Sequence, residues 1–232
     1  MSVPFYVPPE QMIKDKADYA RKNIAKGRDL IACSTVEGIV IVTENQFRTL
    51  YKISEIYDRI AFGGVGKYNE FENLRVLGVR QADLKGYQFA REDVNARALA
   101  NAYGQTLGQV FTHEMKPYEV EILLAEVGAT PAEDRLYRIT YDGVVMDEQG
   151  CTVLGGRAEA IAEALGTRYQ PDMHAEDAIR LCVELLAGPD ATLGPDQLEV
   201  AMLDRARPRR AFRRIEGEQL AAILAASSAT SA

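Results

Sequence analysis

The chain reads as an α+β protein in which two antiparallel sheets stack face to face with helices outside them. Three observations predict this. Strand-forming runs fall into two blocks, and each block contains a tight-turn dipeptide, Glu37-Gly38 in the first and Asp142-Gly143 in the second. Each block is followed by a pair of segments with helical period. No linker, composition break or internal repeat divides the 232 residues, so a single layered domain is expected over 10–226.

Taken in order, Met1–Val7 form a short leader that precedes Pro8-Pro9 and is expected to be mobile. Pro9-Glu10 suits a helix start, because proline tolerates the first turn and an acid there meets the positive end of the dipole. Ile13, Ala17, Ala20 and Ile24 then recur on one helical face, and Gly27 stands where a C-terminal cap belongs. Strands follow over Leu30–Val36 and Ile39–Thr43, a strand end or turn over Ile53–Asp58, and a short strand over Arg59–Val65. The next two segments are helical. Lys67–Ala82 has Phe71, Leu74, Gly78 and Ala82 on one face, and Asp93–His113 has a stripe of Val94, Ala98, Ala102, Leu107 and Val110.

The second block places strands at Glu119–Val127, Arg135–Tyr141, Val144–Met146 and Cys151–Gly155. Helices Ala158–Tyr169 and Ala175–Ala187 come after it, the latter with Ala178, Leu181, Cys182 and Leu185 facing one way. The chain closes with strands Leu198–Leu203 and Phe212–Ile215, a helix over Glu216–Leu224, and a small polar tail, 227–232, expected to be disordered.

Composition narrows the function. Hydrophobic content of 47% with 26% charge is that of a globular protein. A net charge of −7 argues against general nucleic-acid binding, which needs a basic field. Cys33, Cys151 and Cys182 are scattered and odd in number, which fits reduced thiols and a cytoplasmic address rather than a disulfide framework. Neither a signal-peptide h-region nor a membrane-length apolar run is present.

The stretch Gly27–Lys52 carries the chemical question. Its two strands are followed by an acid, Glu44, and then by a base, Lys52. Some hydrolases place a nucleophile at the head of such a first strand, yet here Arg28 stands there with a helix in front of it. Cys33-Ser34-Thr35 offers three nucleophile types inside the first strand and is read as a strand edge rather than a site. Gly63-Gly64-Val65-Gly66-Lys67 fails as a phosphate loop, since Ala61 and Tyr68 occupy positions that need glycine and a hydroxyl; it is read as a strand-to-helix turn needing small residues. His113 and His174 lack acids or cysteines at ligand spacing, so no metal or cofactor is expected. Arg205, Arg207, Arg209, Arg210, Arg213 and Arg214 crowd one hairpin, and a solvated turn or a contact with a partner's acidic surface is the preferred reading over an anion site.

Several stretches together resemble a proteasome α subunit of the actinobacterial type: R-K-N-I-A-K-G-R-D-L-I-A, G-I-V-I-V-T-E-N, L-Y-K-I-S-E-I-Y-D-R-I-A-F-G-G-V-G-K-Y-N-E-F-E-N-L-R, A-N-A-Y-G-Q-T-L-G-Q-V-F-T and R-P-R-R-A-F-R-R-I. The resemblance implies the N-terminal-nucleophile hydrolase fold, a four-layer αββα sandwich, here with an added N-terminal helix. In the family's β branch a threonine begins the first strand and attacks peptides with help from an acid and a lysine. The matching position here is Arg28, whose guanidinium has no nucleophilic atom, so the chain is expected to be non-catalytic.

The resemblance further implies a seven-membered ring of copies that caps a ring of proteasome β subunits. The helix bearing Ile13, Ala17, Ala20 and Ile24 would supply ring contacts. Met1, Ser2, Val3, Pro4, Phe5, Tyr6, Val7, Pro8 and Pro9 would form the gate over the pore, though the Tyr-Asp-Arg motif of archaeal and eukaryotic gates is absent. Lys52 and Gly66 match the pocket in which a ring-shaped ATPase activator docks its C-terminal tails, and protein substrates would pass through. The alternative weighed against this is a self-processing hydrolase cleaved ahead of Cys33, Ser34 or Thr35, which would place Glu44 too close to the nucleophile.

Overall fold

In the computed structural model, residues 8–47, 49–189 and 191–226 are described. The leader over 1–7 and the tail over 227–232, with the mobility and disorder expected of them, lie outside the described residues. Ten strands form two five-stranded antiparallel sheets. The first comprises β1 (Leu30–Ser34), β2 (Gly38–Glu44), β8 (Cys151–Leu154), β9 (Leu198–Asp204) and β10 (Phe212–Arg214), in the order β10-β9-β2-β1-β8. The second comprises β3 (Ile53–Tyr57), β4 (Ile60–Gly66), β5 (Val120–Glu126), β6 (Arg135–Ile139) and β7 (Val145–Glu148), in sequential order.

Strand alternation builds the layers. In β1, β2 and β9 every other residue turns inward: Leu30, Ala32, Ile39, Ile41, Ala201 and Leu203 enter the core between the sheets. Their neighbours Ile31, Cys33, Val40, Val42, Val200 and Met202 face the opposite way, under α4 (Ala158–Arg168), α5 (Ala175–Ala187) and α6 (Gly217–Ala225). The second sheet splits likewise. Ala61, Val65, Leu123 and Ala125 meet the first sheet, while Phe62, Ile122 and Leu124 pack under α2 (Tyr68–Gln88) and α3 (Ala96–His113). The result is the four-layer αββα sandwich the pattern predicts. The added helix, α1 (Pro9–Ile24), puts Ala20 and Ile24 into the inter-sheet core and closes one end of it.

Several local expectations change. The strand at 53–58 is a full member of its sheet, paired with β4 through Ile53↔Gly63. Thr35 and Gly38 exchange backbone hydrogen bonds around Val36-Glu37, so Gly38 is not a turn residue but the first residue of β2. β1 is flanked by both β2 and β8, so Cys33-Ser34-Thr35 is no strand edge. Its side chains are committed: Cys33 Sγ lies 3.7 Å from Cys182 Sγ, Ser34 donates to Asp134, and Thr35 donates to the Gly38 carbonyl. The α3 stripe is displaced, because Asn95 caps the helix by accepting from the Ala98 amide and leaves Val94 outside it. The buried face is then Ala96, Leu99, Ala100, Tyr103, Gly104 and Leu107. Gly27 is no left-handed cap; a Cβ there would stand only 3.1 Å from the Gly66 amide nitrogen and the Ile24 carbonyl oxygen.

The glycines of β4 are packing devices within the strand more than a turn. A Cβ on Gly63 would stand 2.8 Å from Leu30 across the sheets, and one on Gly64 2.7 Å from Phe71 of α2. Gly66 ends the strand at φ +107°, where an added Cβ would fall 2.0 Å from the Glu119 carbonyl oxygen. Gly66→Ala is therefore expected to lower unfolding free energy by about 1–3 kcal/mol through backbone strain and this clash, as read by urea denaturation.

Candidate functional site

One end of the sandwich gathers Arg28, Glu44, Lys52 and Gly66. Arg28 sits between the end of α1 and the start of β1, its side chain well exposed, with Nε 3.3 Å from Glu44 Oε1. Glu44 ends β2 and is itself buried. Lys52 lies just before β3; its carbonyl accepts from the Gly64 amide at 3.0 Å, which brings the lysine beside the β4 segment that ends at Gly66. The Gly66 amide in turn faces Gly27, the residue before Arg28.

The lysine is not paired with the acid in the way a catalytic arrangement suggests. Lys52 Nζ donates to the backbone carbonyl of Glu44 at 3.0 Å, while the carboxylate of that residue goes to Arg28. Glu55, the other acid near it in sequence, is engaged by Arg210. Burial pushes the Lys52 ammonium down to about 8 from its usual range; Glu199, Glu44 and Asp29 resist this and Arg28 adds to it. One hydrogen bond leaves the remaining ammonium hydrogens for another acceptor.

Glu199 of β9 is what holds Lys52 in place. Its buried carboxylate accepts from Asn45 Nδ2 at 2.7 Å, from the Lys52 amide at 2.9 Å, from the Ile53 amide at 3.0 Å and from Arg214 Nη1 at 2.9 Å. Two further carboxylates tie loops of the same fold. Asp29 accepts from the Arg157 amide and Nε at 3.0 and 2.7 Å, and Glu121 accepts from the Gly155 amide at 2.9 Å. Arg28, Asp29, Glu44 and Arg157 line a polar cleft of about 380 Å³ with Lys26.

Four arginines of the hairpin form intramolecular pairs, while Arg207 and Arg209 are exposed on its turn. Arg205 meets Asp134, Arg210 meets Glu55, Arg213 meets Asp204 and Arg214 meets Glu199. Arg214 also lies over the Tyr51 ring, its guanidinium carbon 3.7 Å from the ring centre.

The helix residues proposed for contact divide. Ile13 is 56% exposed and Ala17 half-buried, whereas Ala20 and Ile24 are spent on the chain's own core and offer nothing to a neighbour. Met12 and Tyr19, which the helical-face reading passed over, are exposed with Ile13. Met12 and Tyr19 line an open, mostly apolar groove with Met115 and Pro117. Of the gate residues, Met1, Ser2, Val3, Pro4, Phe5, Tyr6 and Val7 lie outside the described residues. Pro8 is the N-cap of α1 and Pro9 its first residue, so Pro9 belongs to the helix rather than to the leader.

A sandwich of this layering, with an extra helix ahead of its first strand and an arginine at that strand's head, fits one branch of a known family. The family model described as "Proteasome subunit" matches residues 17–202. Proteins named proteasome subunit alpha are similar along the whole chain. That of Sanguibacter keddieii is 57% identical, covering 100% of this chain and 92% of its own length. That of Kineococcus radiotolerans is 56% identical over 97% of this chain and 99% of its own. That of Acidothermus cellulolyticus is 55% identical over 98% and 100%. The chain belongs to the proteasome subunit family, on its actinobacterial α side.

Two measurements check this geometry. Glu199→Ala strands an arginine and three other donors, and is expected to cost about 3–5 kcal/mol in urea unfolding. Lys52 binds its proton less tightly folded than unfolded, so the unfolded chain holds more protons between pH 8 and the usual lysine range. Wild-type stability is then expected to rise relative to Lys52→Met as pH increases through that window, as read by chemical denaturation at pH 7, 8.5 and 10.

Proposed function

We propose that this chain is a non-catalytic α subunit of a cytoplasmic proteasome core, forming the outer ring, gating entry to the β-subunit chamber and docking the tails of a ring-shaped ATPase activator. The observation that carries the reading is the occupant of the nucleophile position. Arg28 stands at the head of β1 behind a retained helix, so neither a hydroxyl nor a free α-amino group is present there. Glu44 and Lys52 keep the framework of an active site without a group to activate. The lysine is instead suited to a terminal carboxylate: it is held rigidly from below, partly desolvated, and has hydrogen-bond donors to spare.

Ring assembly has apolar surfaces to draw on. The groove lined by Met12, Tyr19 and Met115 is one. The exposed Phe47, Leu50 and Tyr51 of the β2–β3 loop are another. Two unlike patches on one chain favour head-to-tail contacts between copies, the kind that closes into a ring. Substrates would be unfolded proteins delivered by the activator, and the leader at 1–7, continuing through Pro8 and Pro9, would restrict their entry.

The test uses the chain assembled with its β partner. Lys52→Ala is expected to abolish ATPase-stimulated protein degradation, by tenfold or more in order of magnitude, while hydrolysis of small peptides stays near the wild-type rate. Deleting 1–9 is expected to raise basal peptide hydrolysis several-fold. The chain by itself is expected to hydrolyse no peptide. Unchanged degradation with Lys52→Ala would remove the docking assignment, and peptide hydrolysis by the isolated chain would remove the non-catalytic one.

A further inference from the structure

Lys52 combines features that suit a nucleophile as well as a docking point. Its amine is held at one fixed place by the Glu44 carbonyl, and part of the side chain reaches solvent. Among the described residues no carboxylate oxygen lies within ion-pair distance of Nζ, because the nearest acids are already engaged. Glu44 of β2 is taken by Arg28, Glu199 of β9 by Arg214, Asn45 and two backbone amides, and Asp29 at the head of β1 by Arg157. The same burial that makes this cation costly favours its neutral, nucleophilic form near pH 8.

We propose that the Lys52 amine is an acylation site, taking an acyl group from an activated carboxyl donor such as an acyl phosphate or an acyl thioester. The Nζ lone pair attacks the acyl carbon. The bond from that carbon to oxygen or sulfur breaks with its electron pair, and the proton shed by nitrogen goes to the departing phosphate or thiolate. The product is a neutral amide with one positive charge fewer. If Lys52 meets a tail carboxylate as proposed above, acylation removes the charge that attracts it and closes the docking pocket; that consequence rests on the docking assignment, whereas the acylation does not.

Arg28 adds to the effect of burial: it ion-pairs with the Glu44 carboxylate, and its own charge disfavours the Lys52 ammonium. Arg28→Gln is therefore expected to slow acylation of Lys52, although the shorter side chain leaves more room for a donor.

The experiment incubates the full chain with acetyl phosphate, and in parallel with acetyl-coenzyme A, between pH 6.5 and 9.0, and quantifies acetylation of each lysine by peptide mass spectrometry. At pH 7.5 Lys52 is expected to label about tenfold faster than the exposed Lys14 and Lys22. Its rate should approach half its maximum near pH 8. The preference should vanish in urea, and the Arg28→Gln chain should label Lys52 several-fold more slowly. Preference with one donor only identifies the donor class. Equal rates at Lys52, Lys14 and Lys22 with both donors would overturn the proposal, as would faster labelling of Lys52 in Arg28→Gln. Because no activator is present, failure here leaves the docking assignment standing, and fast labelling says nothing in its favour.

Discussion

The buried carboxylate of Glu199 is the constraint on which the functional end depends. It belongs to β9 of one sheet, yet two of its hydrogen bonds go to the amides of Lys52 and Ile53, where the other sheet begins. A third goes to Asn45, just after β2, and the fourth to Arg214 of β10. Dispersion between Leu30, Ile39, Ile41, Leu123 and Leu203 holds the sheets together but is indifferent to small slides. A desolvated carboxylate with four donors is not, since any slide leaves a charge without partners. The position of Lys52 thus follows from polar geometry laid over an apolar stack.

Glu44 and Lys52 meet through main chain and not as an ion pair. The carboxylate of Glu44 turns to the exposed Arg28, and the lysine hangs from the backbone of the same glutamate. What remains is a cation whose Nζ hangs from main chain while the Glu199 carboxylate fixes its backbone. The Asp29–Arg157 pair and the Glu121–Gly155 bond brace the surrounding loops in a similar manner. Arg214 serves two purposes, satisfying Glu199 and covering Tyr51.

Much of the fold was legible because the central strands β1, β2 and β5 are buried on both faces and helices such as α3 and α5 on one. Period and turn chemistry placed nine of the ten strands among the described residues to within a few residues, leaving 53–58 as a strand end or turn, and the resemblance agreed with the layering read from the pattern. The errors have local causes. Asn95 moved the start of α3 past Val94 and rotated its buried face. Gly38 was taken for a turn residue because glycine usually marks one, whereas here it admits the Leu203 carbonyl at the start of β2. At the site, Lys52 and Gly66 were found by family match. Glu199, Asn45 and Arg157 were not, because their partners lie more than a hundred residues away or on backbone atoms that no motif encodes. The arginine hairpin read as a solvated turn fits the exposed Arg207 and Arg209, but the acids that engage its other arginines, Asp134, Glu55 and Glu199 as well as nearby Asp204, lie mostly far off in sequence.

The division of α1 has a consequence for the life of the chain before assembly. Its second half is rooted in the subunit core through Ala20 and Ile24, so the helix does not wait for a neighbour in order to fold. Its remaining surface meanwhile shows Met12, Ile13 and Tyr19 to solvent, with Met12 and Tyr19 beside Met115. A newly made copy is thus finished as a fold and unfinished as a surface. That exposed apolar face is a liability for a lone copy until another chain covers it.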